Sequence, residues 1–267
     1  MNLDLVEATA VAAAEVDGTA PLDEATWRSL RGGDVGWSAV VTRQGFALTH
    51  GEDLHLVVHP DHRGRGLGAG FLADVEGPAQ SWSHGGHPAA ATLAARFGFR
   101  RARNLWVMRR PAAEPLPPPR PSPDVDVRTY TDADAAELLR VNAEAFADHP
   151  EQGAMDASDL AARMAEPWFD PAGLLVATQG PRMLGFHWTK QRSHDRGEVY
   201  VVGIDPHAQG RGLGRALTLA GLHHLVGLGV SEIVLYVEAE NHAALATYTR
   251  LGFTHADADT HVMYRRD

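Results

Sequence analysis

Two glycine-rich runs in this chain have residue types that can hold a phosphate: His59-Pro-Asp-His-Arg-Gly-Arg-Gly-Leu-Gly68 and Asp205-Pro-His-Ala-Gln-Gly-Arg-Gly-Leu-Gly214. A glycine turn that opens a helix gathers unpaired backbone N–H groups at the positive end of the helix dipole, which suits a phosphate or pyrophosphate. Neither run has the Gly-Lys-Ser/Thr of a nucleotide-triphosphate loop, and neither belongs to a dinucleotide fingerprint with its acidic residue after the next strand. The chain has no cysteine. Thiolate nucleophiles, thiolate metal sites and disulfides are therefore excluded, and no acyl transfer can pass through a cysteinyl intermediate, which points toward direct attack by a bound acceptor. Histidine is abundant at 15, but His84-Gly-Gly-His87 and His223-His224 lack a third ligand at a metal-site interval, so no metal is expected. His187 reads as a strand-face residue.

The elements that must position these loops recur in the same order. Each run follows a β-like segment (Leu54–Val58; Val199–Ile204) and leads into an apolar helical one (Phe71–Val75; Ala216–Leu225). The repeat continues downstream. Leu93-Ala-Ala-Arg-Phe-Gly-Phe99 corresponds to Thr247-Tyr-Thr-Arg-Leu-Gly-Phe253, each closing an alanine-rich helix before a final strand, Leu105–Met108 or His261–Tyr264. Glu52 and Glu198 align at the heads of the strands entering the loops. Between the copies, Pro111, Pro115, Pro117, Pro118, Pro119, Pro121 and Pro123 mark an extended, semi-rigid spacer.

The expected organisation is a first domain over 1–110, a linker over 111–123 and a second domain over 124–267. In the second domain, strands over Asp124–Thr129, Gly173–Thr178, Met183–Lys190, Glu198–Ile204 and Glu232–Val237 alternate with helices over Asp132–Ala147, Ser158–Ala165, Gly212–Leu228 and Ala243–Arg250. The fold class is mixed α/β (α+β). Elements before Ser38 are not defined by pattern.

Composition bounds the function. At 44% hydrophobic and 22% charged the 267 residues are those of a globular protein, and a net charge of −10 argues against nucleic acid as a partner. No apolar run reaches bilayer length and the acidic N-terminus lacks a signal-peptide pattern, so a cytoplasmic, membrane-free protein is expected.

The pattern Gln209-x-x-Gly212-x-Gly214 after a strand, its copy Arg63-x-x-Gly66-x-Gly68 and the two Arg-Leu/Phe-Gly-Phe endings resemble the GCN5-related N-acetyltransferases. Further runs narrow the likeness, among them Val16-Asp-Gly-Thr-Ala-Pro-Leu-Asp-Glu24, His149-Pro-Glu-Gln-Gly153, Trp168-Phe-Asp-Pro171 and Leu184-Gly-Phe-His-Trp-Thr-Lys190. Over nearly the whole chain they resemble the tandem mycothiol synthase family. The resemblance implies two tandem acetyltransferase domains, each a mixed, mostly antiparallel sheet flanked by helices. It implies acetyl transfer from acetyl-CoA, as co-substrate, to the cysteinyl amine of a cysteinyl-glucosaminyl-inositol, without an acyl-enzyme. A monomer is expected, with only small-molecule partners: acetyl-CoA and this thiol precursor. Another small amine, such as an aminoglycoside or polyamine, and a non-catalytic acyl-CoA sensor stay open as alternatives.

The same resemblance assigns residues. Acetyl transfer to an amine removes a proton from the amine, polarises the thioester carbonyl and protonates the departing sulfur. Glu198 is the expected base or ammonium ligand, and the Tyr248 phenol the expected acid; the first copy has Ala94 there and is expected to be non-catalytic. Val202, Gly203 and Ile204 would hold the pantetheine arm and thioester oxygen, with Gly203 marking a bulge or a close ligand approach. Gln209, Gly210, Arg211, Gly212, Leu213, Gly214 and Arg215 would cradle the pyrophosphate, and Asn241, His242, Ala243, Ala244, Leu245 and Ala246 would border the arm. In the first copy Leu56, Val57 and Val58, with Gly64, Arg65, Gly66, Leu67, Gly68 and Ala69, would form the matching cradle, able to bind acetyl-CoA. For the acceptor the resemblance carries over Glu24, Glu151, Lys190, Glu198 and Tyr236, with Glu24 supplied by the first domain.

Overall fold

Local signals set the first helices, which hydrophobic pattern alone does not define. Asn2 accepts from the Leu5 N–H at 3.2 Å and starts α1 (Leu3–Asp17), which ends on Gly18 at φ 71°. Asp23 accepts from the Thr26 N–H at 2.7 Å and starts α2 (Glu24–Gly32). The computed structural model describes residues 1–147 and 150–267, with the side chains of Pro150 and Glu151 outside that description. After α2 come β1 (Trp37–Thr42), β2 (Gly45–His50), β3 (Asp53–Val58), α3 (Leu67–Ala73), β4 (Ala79–Ser83), α4 (Pro88–Arg96) and β5 (Arg100–Pro111). Then follow β6 (Asp126–Thr129), α5 (Ala135–Ala145), α6 (Pro150–Gly153), α7 (Ala157–Met164), β7 (Leu174–Gln179), β8 (Arg182–Gln191) and β9 (Arg196–Ile204). The chain closes with α8 (Leu213–Gly227), β10 (Glu232–Glu238), α9 (His242–Arg250) and β11 (Thr254–Arg266).

Two compact units result, each built from both halves of the chain. The first comprises Met1–Val107, Val237–Asn241 and His255–Asp267; the second comprises Met108–Tyr236 and His242–Thr254. The last strand of each half is longer than the sequence pattern indicates, β5 starting at Arg100 and β11 at Thr254. The proline run is also held at its start. The Ala112 N–H donates to the Ser231 carbonyl at 2.9 Å, and the buried Arg110 guanidinium donates to the carbonyls of Leu251, Pro111 and Glu114.

In the first unit the strand order is β1-β2-β3-β4-β11-β5. The β1–β2 and β2–β3 pairs are antiparallel, and β11 pairs antiparallel with β4. Val6, Leu22, Leu30, Phe46, Leu48 and Val57 pack on one side, while Ala47, Leu54, Leu72, Ala79, Ala94 and Phe99 form a second cluster. In the second unit the order is β5-β10-β9-β8-β7-β6, antiparallel from β9 to β6 and parallel between β9 and β10. Its core gathers Leu138, Val141, Leu174, Val176, Met183, Phe186 and Trp188. Losing Phe186 to alanine costs about 3–5 kcal/mol by the usual cavity arithmetic.

His187 lies on β8 as the pattern indicates, but it is wholly buried. Its Nδ1 donates to the Leu217 carbonyl at 2.9 Å, and its Nε2 has no protein partner. Burial holds the imidazole down at about 4, against the opposing Leu217 hydrogen bond. The unfolded chain therefore binds a proton here near pH 6.5 and the folded chain only near pH 4. The stability this contributes is complete above pH 6.5 and falls as pH drops towards 4, by on the order of 3 kcal/mol. Urea midpoints measured from pH 7 to 4.5 should fall steeply for the wild type and less steeply for His187→Gln; equal slopes would remove His187 from the account.

Candidate functional site

The second glycine loop is pinned by a buried carboxylate. Asp205, fully buried after β9, accepts from the His207 N–H at 2.8 Å, from Arg182 at 2.8 Å and from Arg140 at 3.1 Å. Burial pushes its carboxyl up, but the Arg182, His207 and Arg140 hydrogen bonds outweigh that and hold it below the usual range. The chain then turns through Gly210 at φ 77° and Gly212 at φ 75°, where a side chain would meet no neighbour. The left-handed backbone alone calls for glycine there. No side chain caps α8 at Gly212, so its first-turn N–H groups are placed for an anion at the head of a 15-residue helix. Gln209, Gly210, Arg211, Gly212, Leu213, Gly214 and Arg215 thus form one turn. The Leu213 side chain is buried with Leu217, leaving only its backbone for a ligand, and Arg211 pairs with Asp124 at 2.8 Å.

Beside the loop, two strands part. β9 and β10 pair in parallel from Arg196↔Glu232 to Val199↔Leu235, and the pairing ends there. At the same point the β8–β9 register shifts, Trp188 opposing Val201 and Thr189 opposing Val199, so Tyr200 is the extra residue of a bulge. Gly203, expected to mark that bulge, lies in regular register opposite Phe186. Its lack of a side chain has a packing cause: a Cβ there would lie 2.6 Å from the Phe186 ring. Val202, Gly203 and Ile204 keep their β8 partners on one edge, past the point where β10 has separated.

At the head of this opening the register sets Lys190 directly opposite Glu198, both buried. Arg192 donates from Nε to the Glu198 carboxylate and lies 5.2 Å from the Tyr236 ring centroid. Burial, with the Glu198 charge, pushes the Tyr236 phenol up against the pull of Arg192. The Lys190 ammonium lies 4.4 Å from the Trp168 ring centroid and 5.5 Å from that of Tyr200. Tyr200 in turn meets Trp168 and Trp188 edge to face. The structure therefore brings together Glu198, Lys190 and Tyr236. It adds Arg192, Trp168 and Tyr200, for which the sequence offers only a weak signal, aromatic residues flanking the Lys190 strand.

Tyr248 sits on α9 with its ring 5.9 Å from that of Phe253, and burial pushes the phenol up to about 12, so it keeps its proton at neutral pH. His242, Ala243, Ala244, Leu245 and Ala246 make the first turns of α9. Asn241 belongs to the first unit, in a turn where its N–H donates to the Glu238 carbonyl at 3.0 Å. Glu24 is the first residue of α2, also in the first unit, directly after the capping Asp23. The Glu151 side chain and His149 lie outside the described residues.

The first unit repeats the turn with Gly64 at φ 72° and Gly66 at φ 80°, but differs around it. His59 replaces the buried carboxylate, accepting from the Asp61 N–H at 3.3 Å. Arg63 makes a bidentate pair with Asp17 at 2.6 and 2.8 Å, and α3 has only 7 residues. The β2–β3 register runs without a shift from His50↔Asp53 to Gly45↔Val58, and β3 meets β4 only at Asp53↔Gln80. Past that pair the strands open onto a cavity of about 480 Å³. Leu56, Val57, Val58, Gly64, Gly66, Leu67, Gly68 and Ala69 line it, together with Ala94. Arg65 is exposed and outside the lining. Glu52 is exposed on the surface, 3.6 Å from Arg265. Among the described residues no three His, Asp or Glu side chains are grouped to hold a metal ion, and no helix is long and apolar enough to cross a membrane.

The Acetyltransferase (GNAT) family model matches residues 138–253. A mycothiol acetyltransferase of a Nocardioides species is 58% identical over 99% of this chain and 97% of its own length. The mycothiol acetyltransferase of Thermobispora bispora is 48% identical over 98% of this chain and 95% of its own. Among solved structures, a tandem GNAT protein from the clavulanic acid biosynthesis pathway has the same fold, with a TM-score of 0.73, 16% identity and coverage of 99% and 95%.

The Gly203 contact is open to measurement. Gly203→Ala should cost about 1–3 kcal/mol of stability through overpacking. Phe186→Leu in the same chain should recover part of that cost, because it removes the ring atoms the new methyl meets. Additive losses in a urea double-mutant cycle would show that the glycine is not there for Phe186.

Proposed function

Because this chain belongs to the mycothiol acetyltransferases of the GNAT family, we propose that its second unit carries the acetyl transfer, from acetyl-CoA to the cysteinyl amine of a cysteinyl-glucosaminyl-inositol. The observation that carries the reading is the buried Lys190–Glu198 pair at the place where β9 and β10 part. A buried carboxylate and buried cation at a strand opening provide a polar pocket head where an ammonium can dock and lose a proton. The Asp205-anchored loop and the uncapped start of α8 suit the pyrophosphate of CoA, and the free edge of Val202–Ile204 suits its pantetheine arm.

In this reading Glu198, oriented by Arg192, takes the proton from the acceptor ammonium. The amine nitrogen then attacks the thioester carbon, and the carbon–sulfur bond breaks as the amide forms. Tyr248, protonated at neutral pH, supplies the sulfur with its proton and is reprotonated from the amine side. Per turnover one ammonium and one thioester become one amide, one thiol and one proton released to water. Lys190 and Tyr236 hydrogen-bond the sugar and inositol hydroxyls. Trp168 and Tyr200 form the wall behind Lys190. Glu151 is proposed as a further acceptor ligand. The first unit, with Ala94 in place of the phenol, binds acetyl-CoA without turning it over, and the protein works as a monomer in the cytoplasm.

Thiol release from acetyl-CoA tests this directly. Tyr248→Phe should lower kcat by about 10²-fold or more with KM for the acceptor little changed, and Glu198→Gln should lower kcat/KM by about 10²–10⁴-fold. Full turnover in Tyr248→Phe would remove the phenol as the acid. Equal rates with the cysteinyl-glucosaminyl-inositol, an aminoglycoside and a polyamine would overturn the acceptor assignment.

A further inference from the structure

The two units differ most where the phenol is missing. α4 and α9 end alike: the Phe99 N–H donates to the Ala94 carbonyl at 2.9 Å, and the Phe253 N–H to the Tyr248 carbonyl at 3.1 Å. Each is followed by a left-handed glycine, Gly98 at φ 76° and Gly252 at φ 87°. Ala94 and Tyr248 are therefore the same position in the two copies. In the second unit a phenol ring fills the space beside Phe253. In the first unit the space beside Phe99 is part of the 480 Å³ cavity, which Ala94, Leu54, Leu56, Leu72 and Leu93 also line.

That cavity runs from the glycine loop, through the opening between β3 and β4, to this aliphatic chamber. Its size is that of a small-molecule site, and the residues clustered with Ala94 that line it are Leu54, Leu56, Leu72, Leu93 and Phe99, together with the Tyr264 ring. We infer that the first unit is a binding site for coenzyme A thioesters whose aliphatic acyl chain is longer than acetyl, the chain occupying the chamber that Ala94 leaves open. This rests on the reading above that the first unit takes a CoA thioester between β3 and β4. An acetyl methyl would leave the chamber mostly empty, and empty hydrocarbon space forfeits contact energy. With no hydroxyl at position 94, the thioester is held and not processed.

Each methylene moved from water into such a chamber tightens binding by about fourfold, so butyryl-CoA, with two more methylenes, should bind the first unit about fifteenfold tighter than acetyl-CoA. The experiment is calorimetric titration of the full chain with acetyl-CoA and butyryl-CoA, with no acceptor amine present. It is done in a Gly212→Ala background, where the strained second loop no longer contributes a site. Ala94→Leu in that background should abolish the preference for butyryl-CoA while changing acetyl-CoA affinity by less than about threefold. Should Gly212→Ala fail to fold by circular dichroism, the comparison of wild type with Ala94→Leu in the otherwise intact chain reads the same quantity, since only the first unit is altered. Tighter binding of acetyl-CoA, or a butyryl preference that survives Ala94→Leu, would overturn the inference and leave the first unit's CoA site standing. A folded Gly212→Ala chain that binds neither thioester would remove that site, and the inference with it.

Discussion

Everything in the second unit depends on a pair of β-strands that hydrogen-bond and then stop. Backbone N–H and C=O groups are obligatory partners, and a strand that leaves its neighbour inside a folded unit needs some other group to take those bonds. β9 solves half of this by staying with β8, and the Tyr200 bulge lets it bend away from β10 while doing so. The remaining edge is a row of polar groups next to a glycine turn. An extended ligand with amide groups of its own satisfies such an edge as a further strand would. The core beneath, with Phe186 under Gly203 and His187 under α8, is therefore packed to hold the separation open.

Duplication gave both units this opening, and divergence changed what surrounds it. In the second unit a bulge turns Tyr200 towards Trp168 and Lys190, and register sets Lys190 against Glu198. In the first unit β3 runs in unbroken register with β2, its loop arginine is engaged by Asp17, and the helix after the loop is half as long. The phosphate turn survived in both because it depends on a few left-handed glycines. The Tyr248 phenol has no counterpart at Ala94, because it depends on a single side chain.

That difference also explains what the sequence made legible. The glycine loops, the Ala94/Tyr248 contrast and the strand–loop–helix order were readable because left-handed turns and repeated spacing leave local marks. The helix α1 was not, since its start is set by the Asn2 cap on a segment with little periodic pattern. Gly203 was readable as special, but not as packing against Phe186, because that ring lies on another strand. Arg192, Trp168 and Tyr200 left only a weak signal for the same cause: they matter through neighbours distant in the chain.

Asp205 has a consequence for timing. A loop that orders only when its ligand arrives charges the ordering entropy to every binding event and slows association. Two arginines and a backbone N–H already hold the second unit's turn in place, so its conformation does not wait for a phosphate. In the first unit His59 takes the place of that carboxylate, and the turn is held by the Arg63 pair with Asp17 and by Arg63 Nε donating to the Val58 carbonyl.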